Sequence, residues 1–439
     1  LNEASNFDIN AIGSEGLPDE HNKQTTAVSI VSTIISILLC FENSKEIVKS
    51  LEQSFYPAAE YVLNNEMEDF YHDVRDFFDN SCFLTCSVSP IAWKILELIG
   101  ELNRKEDSTV GFYLESFMLL IKNYFIYGKQ ELIKNQFYAD IIFNVYCKSY
   151  GGEDADLDEI NIAFDLSSHI ILAMGANCPP AYLERLLTDT SNAIIAEREF
   201  LNKRIAFGIT SFNVLLSSMC SFPELTLSFL QNKDLLQLFL HHWLNVYVLK
   251  LKRVFDIKLS LMAMLSLLSN SEKTFVLLPS SYCSVVGAKF SYLMNAFPHA
   301  LKQFEERRKQ FSSFHLHGST FDDDFGFADG DDDWNEELDI DDEAQELSAL
   351  NDNAAYMDML QKSTAGLQKS AMIQKDEDED ADDFYDLEED PLAPSVLEDV
   401  NIYDLYKAVL PHLNSQVHAA VFGPLPQEDQ QYLQSLLAL

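Results

Sequence analysis

The residues able to do chemistry here are seven cysteines and ten histidines, and their spacing limits what they could do. Cys82-x3-Cys86 has passable metal-ligand spacing, with His72 the only further candidate nearby. A structural zinc site needs four closed ligands. No second Cys or His pair completes the set, so no zinc site is expected. Neighbours on a helix point in different directions, so His241 and His242 cannot act as an i,i+4 pair. His315-x-His317 lies beside an acidic run and could offer only weak contact to a divalent ion. The aspartate triplets raise the question of calcium, but an EF-hand loop needs Gly at position six and Glu at twelve. Counted from Asp331, position six is Glu336, and the loop fails. The sequence has no Gly-x-Gly-x-x-Gly, no Walker loop and no Gly-x-Ser-x-Gly. The expectation is a protein with no catalytic residues, no cofactor and no resident metal, and so not an enzyme.

What remains is charge. The chain carries 70 acidic against 30 basic residues, a net charge of −40. Residues 311–400 hold 29 of the acids against three lysines, which places 26 of the 40 excess negative charges in 90 residues. The acids come in clumps: Asp322, Asp323 and Asp324; Asp331, Asp332 and Asp333; Glu336 and Glu337; Asp341, Asp342 and Glu343; and Asp376, Glu377, Asp378, Glu379 and Asp380. No fold buries such charge unpaired, so the stretch is expected to be disordered by itself. A chain this acidic repels nucleic acid, which requires Lys and Arg for its phosphates. The same field attracts basic proteins. Phe321, Phe325, Phe327, Trp334, Phe384 and Tyr385 are interleaved with the acids, where cation–π contact with partner Lys or Arg would add about 0.5–1 kcal/mol. These clumps and Trp334 are the candidate binding residues. The plainer alternative is a solvated linker that binds nothing.

The elements around this segment read as helices. Gly (15) and Pro (13) are too scarce for a turn-rich β architecture. Apolar residues recur at helical spacing from near Thr25 to about Lys309, as in Val48, Leu51, Phe55, Ala59 and Val62. Pro57 is expected to kink or divide its helix, and Pro298 to break a later one. Ser89-Pro90 and Pro179-Pro180 read as helix starts. Helices of about 12–20 residues come two per roughly 40 residues, the period of HEAT-type repeats. One such hairpin cannot bury its apolar face alone, and stacking builds the core. The fold expected is all-α: a HEAT-repeat α-solenoid, a superhelix of antiparallel helix pairs with a long acidic insertion. Its parts are a polar connection (1–24), helical repeats (25–310), the acidic segment (311–398) and C-terminal helices (399–439). Within the acidic segment, residues 344–374 regain helical composition. The cysteines are odd in number and scattered, as in reduced, intracellular proteins. Residues 27–41 are the best membrane candidate, but are too short and carry too many hydroxyls to span. The absence of an initial Met suggests a fragment.

Several stretches resemble the karyopherin-β (importin-β) family, in particular its importin seven and importin eight type. Leu84-Thr85-Cys86 followed by Val88-Ser89-Pro90 and Trp93 is similar to a helix start in that branch. Gly152-Glu153-Asp154-Ala155-Asp156 is similar to its acidic inter-helix turn. Trp243-Leu244-Asn245 leading to Asp256-x-Lys258 and an apolar helix is similar as well, although Ile257 stands where some relatives carry Arg. The resemblance covers about 25–310 and 395–439. It implies a nuclear transport receptor shuttling between cytoplasm and nucleus through the nuclear pore and envelope. It implies basic cargo such as ribosomal proteins and histones, Phe-Gly nucleoporins, and importin-β itself as a partner. Ran GTPase would bind through a family N-terminal region that has no counterpart here, so the chain resembles a C-terminal portion. An acidic histone chaperone or helical scaffold is the alternative. The acidic segment could also act in cis, on the receptor's own basic surface, and be displaced by cargo.

Overall fold

The computed structural model describes residues 17–41, 44–105, 110, 113–151, 156–317 and 395–438. Eighteen α-helices and no strand occur among the described residues. They begin with α1 (Leu17–Leu39), α2 (Lys45–Asn64), α3 (Tyr71–Thr85), α4 (Pro90–Asn103), α5 (Leu114–Tyr127) and α6 (Lys129–Lys134). The middle of the chain forms α7 (Gln136–Tyr150), α8 (Leu157–Met174), α9 (Pro180–Ala196), α10 (Ile205–Ser221), α11 (Pro223–Asn232) and α12 (Leu236–His241). Then come α13 (Val254–Ser269), α14 (Ser271–Leu277) and α15 (Ser280–His317), and after the acidic segment α16 (Ile402–Val409), α17 (Ser415–Val421) and α18 (Gln427–Ala438).

The helices stack in two layers. In one, α1, α3, α5, α8, α10, α13 and α15 each pack on the next; in the other, α2 packs on α4 and α4 on α7. Pairs such as α2 with α3, α7 with α8 and α9 with α10 join the layers. This is a HEAT-repeat α-solenoid. Burial follows from the stacking. In α10 every residue from Ala206 to Met219 is buried, and its polar positions are small hydroxyls or the hydrogen-bonded Asn213. A helix apolar on all sides belongs inside.

Local chemistry sets several helix starts. The Ser89 hydroxyl accepts from the Ala92 N–H at 3.0 Å, with Pro90 at the first helical position. Asp156 and Glu159 form a reciprocal capping box at α8. The period is also written in hydrogen bonds. Tyr138 bonds Glu97, Tyr146 bonds Asp189, Asn213 bonds Asp256 and Tyr247 bonds the Leu201 carbonyl, with partners 41 to 46 residues apart. Each joins equivalent regions of neighbouring repeats.

Three features differ from the sequence expectation. First, α1 begins at Leu17, inside the stretch expected as a connection. Pro18 there sits in a first helical turn, where its missing N–H costs nothing. Second, neither proline divides its helix: α2 includes Pro57 and α15 includes Pro298. Both prolines face solvent. A proline inside a helix orphans the carbonyl four residues earlier. For Pro298 that carbonyl is Met294, and the Tyr432 hydroxyl donates to it at 3.0 Å. Third, within the stretch of continuous helical spacing, α12 passes into a π turn (His242–Val246) and a 3₁₀ turn (Tyr247–Leu249). The wide turn lets Trp243 and Tyr247 both bury; the indole N–H reaches Ser260 at 3.3 Å. No single helix among the described residues is long and apolar enough to cross a membrane.

After the acidic segment the chain returns to the body it left. The described residues resume at Ser395, and Leu397 is buried against the body. The Lys258 ammonium, itself buried on α13, donates to the carbonyls of Leu397 (2.9 Å) and Glu398 (3.1 Å). Arg308 pairs with the Glu398 carboxylate at 2.5 Å. Phe290 meets Tyr406 and Phe422, and a Cβ on Gly287 would overlap the Val421 carbonyl, so α17 lies directly on α15.

The Tyr432 bond has a measurable weight. Tyr432→Phe leaves the Met294 carbonyl without its donor and should cost about 1–2 kcal/mol in urea unfolding. In that background Pro298→Ala restores an intrahelical N–H to the same carbonyl and should recover part of the loss. Additivity of the two changes in a double-mutant cycle would refute the link.

Candidate functional site

The acidic candidates from Asp322 to Asp380, Trp334 among them, lie outside the described residues, as do residues 344–374. The remaining chemistry candidates resolve simply. Cys82 is buried and Cys86 exposed; Cys86 adopts a left-handed conformation that ends α3. His72 Nε2 lies 3.3 Å from the Ser116 hydroxyl. The His242 ring N–H donates to the Leu238 carbonyl at 3.0 Å, and His241 contacts Asn245. Among the described residues no three His, Cys, Asp or Glu side chains are grouped to hold a metal ion.

The described residues instead present a groove of about 620 Å³ where α4, the α5–α6 junction and α7 meet. Its floor comes from the start of α4. The Ser89 cap and Pro90 fix that start, so Trp93 follows one turn later, and Val88 and Pro90 line the groove with it. The indole stacks on Tyr138 of α7, with centroids 4.3 Å apart, and tilts against Tyr124 of α5 at 5.1 Å. Gly128 closes the junction, where a Cβ would stand 2.8 Å from the indole. Only glycine allows this approach.

Two carboxylates flank the aromatic floor. The Tyr138 hydroxyl donates to Glu97 at 3.1 Å. Burial, that bond and the charges of Glu97 and Glu131 raise the phenol above its ordinary range. The groove's one lysine, Lys94, sits over the Tyr56 ring at 5.6 Å. Among the described residues neither Glu97 nor Glu131 has an ion-pair partner. Sequence reasoning marked Trp93 as part of a helix start and missed the groove. Its partners Tyr138 and Glu97 are one repeat apart, and only the stacking brings them together.

A second polar cluster runs along the layer containing α5, α8, α10 and α13. Lys122 pairs with Asp165 at 3.0 Å, and the His169 Nδ1–H donates to the Asp165 carbonyl at 2.8 Å. Burial opposes ionisation of Asp165, but Lys122, His169 and Arg253 outweigh it and hold its carboxyl below the usual range. Burial keeps His169 below its ordinary value, against the pull of Asp165, and its ring stacks on Phe255 at 5.4 Å. Arg253 forks onto Asp256 at 2.7 and 2.8 Å, and Asn213 donates to the same carboxylate at 2.8 Å. These groups are satisfied by one another, so the cluster is a structural seam.

Comparison with known proteins adds the relationship. No family model matches the chain, and no solved structure does. The chain is 39% identical to "Nonsense-mediated mRNA decay protein 5" of Saccharomyces cerevisiae over 444 residues, covering 100% of this chain and 41% of the yeast protein. It is 26% identical to human Importin-8 over 178 residues, 40% of this chain and 17% of that protein. Against the "Probable importin-7 homolog" of Dictyostelium discoideum it is 23% identical over 284 residues, covering 63% and 25%. The chain thus spans less than half the length of these relatives. The similarities support the karyopherin family and do not single out one type within it.

The seam predicts a pH dependence. The lowered Asp165 carboxyl contributes stability that is fully present above the unfolded value, about 3.9. That contribution is lost as pH falls toward the folded value. Asp165→Asn should cost about 2 kcal/mol at pH 7. The gap between variant and parent in urea unfolding should narrow at pH 3. A gap of equal size at both pH values would rule out the ion pairs as its source.

Proposed function

We propose that this chain is part of a nuclear transport receptor of the karyopherin-β family, of importin seven or eight type. It holds basic cargo, such as ribosomal proteins and histones, for passage through the nuclear pore. The similarity of parts of the chain to proteins named importins, together with its stack of helical repeats, supports the reading. The mechanism involves no chemical step. The acidic segment raises the local concentration of basic partners, and long-range attraction speeds encounter and weakens steeply with salt. Apolar and aromatic contacts then hold the complex. Release under Ran control and contact with importin-β belong to the whole receptor, and passage through the pore rests on Phe-Gly nucleoporins.

The charge distribution also suits an acidic histone chaperone that never crosses a pore. The two readings separate on Phe-Gly repeat beads, which retain a transport receptor and not a chaperone. For the acidic segment, histones or ribosomal proteins should be retained by the full chain at low salt. Deleting residues 321–390 should reduce capture severalfold, with a weaker salt dependence. Equal capture with and without the segment would refute the electrostatic mechanism. Stronger capture after deletion would reverse its sign, making the segment a competitor for its own receptor.

A further inference from the structure

We propose that the groove between α4, α6 and α7 is a second, structured binding site that takes an arginine or lysine side chain from a basic partner segment. The inference rests on the reading of basic partners given above and adds a place for them outside the acidic segment. Charge complementarity carries it. Glu97 and Glu131 converge on one aromatic groove, and neither is paired with a cation among the described residues. Both are half-buried carboxylates lining the same groove, and a cation placed between them would meet two opposite charges. The groove's lysine is directed to Tyr56 instead.

The walls suit such a side chain along its length. A long basic side chain buries an aliphatic stem and keeps its charge at the far end. Val88, Pro90 and Tyr127 offer the stem an apolar wall, while Glu97 and Glu131 receive the head. An arginine would add stacking on the Trp93–Tyr138 ring system, which prefers a planar guanidinium. An uncharged aromatic side chain would fill the same volume but cover both carboxylates without pairing them, which costs free energy. The occupant is therefore basic, not a phenylalanine. The floor is already assembled without a ligand: the rings are stacked, the Gly128 junction is closed on the indole and Tyr138 is tied to Glu97. Little ordering remains to oppose binding.

The test uses the full chain and two labelled peptides of equal length, one rich in arginine and one of Phe-Gly repeats, followed by fluorescence anisotropy. Three variants are compared with the parent: Glu131→Gln alone, Glu97→Gln with Glu131→Gln, and neutralisation of Asp322, Asp323, Asp324, Asp331, Asp332 and Asp333 to Asn. Glutamine keeps the shape and can still accept from Tyr138, so the fold is retained; far-UV circular dichroism confirms it. Loss of both carboxylates should weaken the arginine peptide about tenfold, as expected for charge-assisted bonds of about 1.4 kcal/mol in total. Glu131→Gln should give a smaller part of that loss, and the Phe-Gly peptide should be unaffected. If the groove variants bind the arginine peptide like the parent while the aspartate variant loses it, the groove proposal fails and the functional reading stands. If neither set changes arginine binding, both fail. A groove variant that alters only Phe-Gly binding would assign the groove to an aromatic occupant and overturn the proposal.

Discussion

A helical hairpin has more apolar surface than it can cover, and the rest of this structure follows from that excess. Stacking neighbours covers it, but apolar burial is non-directional and leaves neighbours free to slide. Directional bonds between repeats remove that freedom. Tyr138 to Glu97, Tyr146 to Asp189, Asn213 to Asp256 and Tyr247 to the Leu201 carbonyl each hold partners a repeat apart. A slip by one turn would leave several buried polar groups unpaired at once, so the polar seam acts as a register mark within an apolar stack.

The helices were largely legible in the sequence, because their starts are local. Ser89 before Pro90, Asp156 before Glu159 and the Pro179-Pro180 step each act within one turn. What could not be read depends on distant residues. Pro298 reads as a breaker in isolation, yet a tyrosine 134 positions later supplies the hydrogen bond its carbonyl lacks. The π turn at His242 follows from where Trp243 and Tyr247 must bury, which periodicity does not reveal. The groove was invisible for the same reason. Trp93 and Glu97 share a helix, but Tyr138 and Glu131 reach them only through the stacking of α7 and the turn at Gly128.

Charge is divided unevenly along the chain. Residues 311–400 hold 26 of the 40 excess negative charges, which leaves 14 for the remaining 349 residues. In the seam the cations are committed: Lys122 to Asp165, Arg253 to Asp256, Lys258 to the returning backbone. Glu97 and Glu131 depart from that pattern: among the described residues neither is paired with a cation, and the groove's Lys94 lies over Tyr56.

The docking of the returning chain on α13 and α15 has a consequence for how strong that contact needs to be. Because α16–α18 are covalently joined to the body they sit on, their docking is a first-order event. Its relevant concentration is set by the connection from His317 to Ser395 and not by the amount of protein in solution. A seat made of one lysine, one arginine and a few rings can therefore stay filled at any dilution, although the same surfaces on separate molecules would seldom meet. Cutting the chain anywhere between those ends would convert a concentration-independent contact into a bimolecular one. The covalent continuity of the acidic insertion is thus itself part of what holds the C-terminal helices in place.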